Sequence, residues 1–272
     1  MKYKLFITDY DGTLGHAPEN TIDSEVLDAI REFEEKGGKF VICTGRMFGS
    51  IKKICDKVGL GGIAVSYQGA VIKDIKTGES LFDGGVSPEV AVKVVKELRK
   101  QNVLICLYID DHLYYEDNKT NHIYIEKYQL LLDTTAVLVD DLCEEVLKQG
   151  KNLGKICALC PEEQVEKYAK ELNEALKGEP VMFNSGARYL CECINSEHHK
   201  GNAVRFLSKH FGIPFDEIIT VGDSTNDIGL VQGPWYGVAV GDGKQALKDV
   251  AKEVTVPYKD KPVLHLLKKY CL

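Results

Sequence analysis

No apolar stretch in this 272-residue chain approaches the roughly 20 residues that a membrane-spanning helix needs, so a membrane partner is not expected. No block of clustered Lys and Arg is present either. With a net charge of −7 and a pI near 5.6, the chain is poorly suited to nucleic acid or an anionic membrane surface. Pro- or Ser-rich linkers, internal repeats and low-complexity tracts are also missing. Cysteine is not scarce, but its count of nine is odd, its spacing irregular, and several lie inside apolar runs such as Phe40 to Cys43. Reduced thiols are therefore expected rather than a disulfide framework. Cys157 and Cys160 form a lone C-x-x-C in a strand-like stretch, without the second pair a zinc site would need. Met1 to Leu5 carries two lysines but reaches Thr8, Asp9 and Asp11 too early for a signal-peptide core. The expected location is cytoplasmic.

What is there is ordinary globular material, 44% hydrophobic and 28% charged, enough for one large domain or two smaller ones. Lys4 to Thr8 is a short apolar run that stops at Asp9, as a buried strand stops at a turn. Val26, Leu27, Ile30 and Phe33 recur on one face of a helix from about Ser24 to Lys36, with Gly37 as its stop. Lys39 to Cys43 predicts a second strand, Ile51 to Val58 a helix closed by Gly59, and Ile63 to Ser66 a third strand. The alternation resumes with a helix at Lys200 to Phe211, strands at Glu217 to Val221 and Gly237 to Val240, and helices near Lys244 to Val250 and Val263 to Tyr270. Repeated strand-helix units imply an α/β fold, a doubly wound parallel sheet with helices on both faces. Between about residues 85 and 187 the grammar changes to a helix near Ala91 to Leu98, a hairpin around Asp110 and Asp111, a strand at Lys155 to Leu159 and a long helix from about Pro161 to Lys177. This reads as an α+β insertion in a core made of residues 1–84 and 188–272.

In an open parallel sheet, ligands bind beyond the carboxyl ends of the strands. Asp9 and Asp11 follow the first strand, Thr44 the second, and Asp223, Asn226 and Asp227 a later one, while Lys200 opens a helix. Asp9, Asp11 and Asp223 would crowd three acidic groups together, an unfavourable arrangement unless a hard cation neutralises it. Oxygen-only donors of this kind suit Mg²⁺. Lys200, the Thr44 hydroxyl and the backbone amides around Gly45 suit phosphoryl oxygens. Alone, each of these residues has an ordinary reading: Asp9 as a turn, Thr44 as a helix cap, Lys200 as a solvated helix residue. His198 and His199 read as pocket rim or surface, and the Tyr and Leu residues from Tyr124 to Leu132 as core or interface.

Together, Asp9-Tyr10-Asp11-Gly12-Thr13, Thr44-Gly45-Arg46, Lys200-Gly201 and Gly222-Asp223-Ser224-Thr225-Asn226-Asp227 resemble the four ordered motifs of the haloacid dehalogenase superfamily. The insertion at 85–187, with Ser66-Tyr67-Gln68-Gly69-Ala70 before it, resembles the class IIB cap of the Cof-type phosphatases. The resemblance implies Asp9 as nucleophile and Asp11 as general acid and base. It implies Mg²⁺ held by Asp9, the backbone carbonyl of Asp11 and Asp223, with Asp227 and Asn226 orienting that shell and Lys200. Arg46 and Asn226 become candidate substrate contacts, although Gln68, where many Cof-type relatives carry Asn, and the short approach to Lys200 depart from the pattern. The expected substrate is a small phosphorylated metabolite, and the expected assembly a monomer or small homo-oligomer. A phosphomutase on the same scaffold and a non-catalytic binding protein are the rival readings. The second would be expected to lack Asp9 or Asp11, and both are present.

Overall fold

The computed structural model describes residues 1–15, 19–117, 122–132, 135–185 and 189–272. The chain begins with β1 (Leu5–Thr8), α1 (Ser24–Glu35), β2 (Lys39–Cys43), α2 (Phe48–Val58), β3 (Ile63–Ser66), β4 (Val71–Asp74) and β5 (Ser80–Asp83). It continues with α3 (Pro88–Leu98), β6 (Leu104–Ile109), β7 (His112–Tyr115), α4 (His122–Leu132), β8 (Ala136–Leu138), α5 (Leu142–Gln149), β9 (Leu153–Leu159), α6 (Val165–Ala175), β10 (Val181–Ser185) and β11 (Leu190–Asn195). The last part holds α7 (Lys200–Phe211), β12 (Ile218–Gly222), α8 (Ile228–Val231), β13 (Tyr236–Ala239), α9 (Gln245–Lys248), β14 (Glu253–Val254) and α10 (Pro262–Tyr270).

These elements form two compact units, Met1–Phe82 with His199–Leu272, and Asp83–His198. In the first, an eight-stranded sheet runs in the order β14-β13-β12-β1-β2-β3-β4-β5. Its pairings from β14 through β3 are parallel, and β4 is antiparallel to β3. Alternation along β1 sends Phe6 into one cluster with α1, α2 and α10, and Leu5 and Ile7 into another with α7 and Trp235. Both faces of the strand are thereby covered, which is why it reads as a continuous apolar run. From β1 the chain proceeds to β2 and β3 on one side and later to β12 and β13 on the other. The strand ends at β1 and β12 therefore flank the point where the winding reverses, the place where such sheets hold ligands.

The second unit is a six-stranded sheet ordered β10-β11-β9-β6-β7-β8, antiparallel except for β7 against β8. One face packs Ile105, Leu107, Ile156 and Ala158 against α3, α5 and α6. The other carries a polar set. Lys155 Nζ donates to Glu192 at 2.5 Å, and the Tyr108 and Tyr128 hydroxyls meet at 2.5 Å. The hairpin between β6 and β7 turns on Asp110 and Asp111, both left-handed at φ 49° and 60°, the two-residue geometry that matches strand twist. The domain boundary expected near residue 187 falls outside the described residues. The second unit closes at His198, because β11 pairs with β9 and β10 and so belongs to the inserted sheet. Within the stretch expected as core or interface, Tyr128 is buried and Tyr124 half-buried; the side chains of residues 130–132 lie outside those described.

Candidate active site

β1 ends in a backbone bond from the Asp9 amide to Val221 of β12, at 2.9 Å, so Asp9 and Asp223 leave neighbouring strands side by side. The loop after Asp9 then folds over Asp223. The Thr13 hydroxyl donates to Asp223 Oδ1 at 2.9 Å. Gly12, at φ +76°, approaches so closely that a Cβ would stand 2.8 Å from Asp223 Oδ2. A side chain there would fill the space in front of the carboxylate.

Lys200, only 1% exposed, enters from the first turn of α7. Its Nζ donates to Asp9 Oδ1 at 2.7 Å and to Asp227 Oδ1 at 2.6 Å. Asp227 uses its other oxygen to accept the backbone amides of Asp223 and Ser224, each at 3.1 Å. Both of its oxygens are thus committed within the protein. Asp9 Oδ2 and Asp223 Oδ2, by contrast, accept no hydrogen bond among the described residues.

A carboxylate oxygen from each of Asp9, Asp223 and Asp227 lies within 4.8 Å of the others. Three carboxylates therefore face one ammonium. Burial, with Asp227 alongside, raises the Asp9 carboxyl well above the ordinary carboxylate range against the pull of Lys200. Burial and Asp227 likewise push Asp223 up to about 6. Burial alone would lower the Lys200 ammonium, but Asp227 and Asp9 outweigh it and hold the group charged. This surplus of negative charge on oxygen-only donors fits a hard divalent cation.

The cluster differs from the trio expected from sequence. Asp227 stands in it, whereas the Asp11 carboxylate is turned into a fork with Arg46, whose Nε and Nη2 donate at 2.8 and 2.6 Å. Arg46 also donates to Asn20 at 2.7 Å and stacks over the Tyr10 ring, 4.8 Å from its centre. The Thr44 hydroxyl, buried, accepts the Arg46 amide at 3.2 Å, turning the chain around Gly45. Asn226 donates to Gln68 at 3.2 Å, and the Gln68 amide nitrogen sits over Gly45, where a Cβ would come within 2.4 Å of it. Asn20 and the Tyr10 stacking carried no signal in the sequence, since both depend on where the loop after β1 returns.

A sequence profile of haloacid dehalogenase-like hydrolases matches residues 6–267. The chain belongs to this family. The matched range takes in the segments that carry Asp9, Thr44, Lys200 and Asp223. A 5-amino-6-(5-phospho-D-ribitylamino)uracil phosphatase of Bacillus subtilis is 26% identical over 275 residues, which cover 98% of this chain and 97% of that one. A crystal structure from Thermotoga maritima has the same fold, with a TM-score of 0.83 at 24% identity over 98% of this chain and 97% of its own. A sugar phosphatase of haloacid dehalogenase subclass IIB superimposes with a TM-score of 0.78 at 20% identity, over 98% of each chain. No helix among the described residues is long and apolar enough to cross a membrane.

Proposed function

We propose that this hydrolase removes phosphate from a small phosphorylated metabolite, with Asp9 as the nucleophile and Mg²⁺ as the required ion. The observation that carries the reading is the set of buried Asp9, Lys200 and Asp227 with half-buried Asp223, in which one carboxylate oxygen of Asp9 remains available. Asp9 Oδ2 attacks phosphorus, the bond to the ester oxygen breaks, and the leaving oxygen takes a proton from Asp11. Asp11 then takes a proton from water as that water attacks the aspartyl-phosphate, which releases inorganic phosphate and restores Asp9. Asp9, Asp223 and the Asp11 carbonyl would hold Mg²⁺, whose charge would neutralise the phosphoryl oxygens. Lys200 keeps Asp9 oriented and adds a positive charge at the same place, while Asp227 fixes Lys200. Thr44 and the amides near Gly45 hold the remaining oxygens.

Arg46 enters the reading in a role other than simple substrate contact. Its fork on Asp11 has to open before Asp11 can give up or take a proton on the reacting oxygen. The substrate class is a sugar or polyol phosphate, supported by the ribityl and sugar phosphates named for the relatives. A screen of phosphorylated metabolites with Mg²⁺, and again with EDTA, tests this by phosphate release. Steady release that EDTA stops is expected. Turnover that needs a bisphosphate activator, or that survives EDTA, would overturn it.

A further inference from the structure

We infer that His199 is a positioning residue for Lys200, an inference that rests on the function proposed above. His199 is the N-cap of α7, with extended backbone, and its ring Nδ1 accepts the Gly201 amide at 3.2 Å. Lys200 lies between the two ends of that bond. Its charge therefore leaves the helix from a first turn whose free amide is satisfied by an imidazole rather than by the hydroxyl or carboxylate usual at this place.

The ring is located from two further sides. A Cβ on Gly229 would come within 3.0 Å of His199 Nδ1, and a Cβ on Gly201 within 3.1 Å of Cε1 and 2.4 Å of the Gly229 carbonyl. Two glycines thus let the start of α7, the start of α8 and the imidazole come together. Gly201 follows Lys200 directly and Gly229 follows Asp227 by two residues. The ring consequently sits where the two segments bearing the 2.6 Å Lys200–Asp227 pair meet. From a third side, Gly69 presses on the backbone, where a Cβ would be 2.4 Å from the His199 carbonyl carbon and 2.8 Å from the Lys200 nitrogen.

The cap works only while Nδ1 is unprotonated, with the ring proton on Nε2 in the neutral imidazole. Lost capping loosens the first turn, and a small displacement of a charged group beside a nucleophile is expensive in rate. The effect should fall on turnover more than on substrate affinity, because Lys200 acts here through Asp9.

The test compares His199→Ala, His199→Asn and His199→Gln. Asn places an amide oxygen where Nδ1 stands, and Gln reaches instead to the position of Nε2. With p-nitrophenyl phosphate and Mg²⁺, kcat is expected to fall about tenfold in the Ala and Gln variants and to return close to wild type in the Asn variant, with KM little changed. Wild-type kcat in the Ala variant, or rescue by Gln in place of Asn, would overturn the assignment. A second measurement does not need turnover. Long-range ¹H–¹⁵N correlation spectra of the intact protein should show His199 Nδ1 unprotonated and the Gly201 amide protected from exchange. A proton on Nδ1 in the neutral ring would sink the inference, and absent phosphatase activity with an unprotonated Nδ1 would sink only the functional reading.

Discussion

At the scale of single residues, the site is an unfavourable collection of charges held in place by the fold. Asp9→Asn keeps an oxygen toward Lys200 and removes the proposed nucleophile, so phosphate release should drop by about 10³-fold or more. In EDTA its thermal unfolding midpoint should equal or exceed that of the wild type, because one buried carboxylate has been removed from beside two others. Asp223 gives the pH dependence of the metal-free protein. Its folded value is raised to about 6, above the roughly 3.9 of an unfolded Asp, so folding disfavours its charged form. Stability in EDTA should therefore be greatest below about 4 for this group and fall as pH rises toward about 6. Asp223→Asn should show a flatter midpoint-against-pH curve over that window. Adding Mg²⁺ at neutral pH should raise the wild-type midpoint and leave the Asp223→Asn midpoint nearly unmoved. The meeting of Asp9, Lys200 and Asp223 was legible because each follows a strand or opens a helix in the expected order. The turning of Asp11 toward Arg46 was not, since that fork joins residues from two loops whose paths the sequence pattern leaves open.

At the scale of elements, periodicity predicted best where burial is one-sided or complete. Strands β2 and β3 and helix α7 lie where the apolar pattern put them, and α1 and α10 differ by a residue or so at an end. The pattern failed for β4, β5, β8, β10 and β11, which are short or carry mixed polarity on sheet edges and hairpins. The helix expected as one piece from about Pro161 is a 3₁₀ turn followed by α6, with Gln164 at the junction. On α1, Phe33 is fully buried and meets Phe6 edge-on at 6.4 Å. Phe33→Ala should cost about 3 to 5 kcal/mol in urea unfolding. The cap of α5 gives a smaller, local prediction. Asp141 accepts the Glu144 amide at 2.9 Å, and Asp141→Ala should cost ~1 kcal/mol. Between β3 and β4, Tyr67, Gln68 and Gly69 are left-handed in succession, at φ 50°, 61° and 115°. Gly69→Ala adds a clash with the start of α7 to that strain and should lower both stability and phosphate release, with activity lost at temperatures where the variant is still folded.

At the scale of the whole molecule, all nine cysteines are buried and unbridged. Native protein should give almost no reaction with a thiol reagent, denatured protein should titrate all nine, and reductant should leave the unfolding midpoint unchanged. The sequence by itself determined the fold class, the interruption of one sheet by an inserted second unit, and the order of polar strand ends that marks the site. It could do so because buried parallel strands and amphipathic helices each write a period that local reading recovers. Tertiary structure alone decided which carboxylates share the charge. Asp227 joins Asp9 and Asp223 because its helical turn is anchored by the amides of Asp223 and Ser224, while Asp11 is drawn to Arg46. Those choices depend on contacts between segments distant in sequence, 35 residues apart for Arg46 and Asp11 and 191 for Lys200 and Asp9, where the deciding quantity is distance in space and not position along the chain.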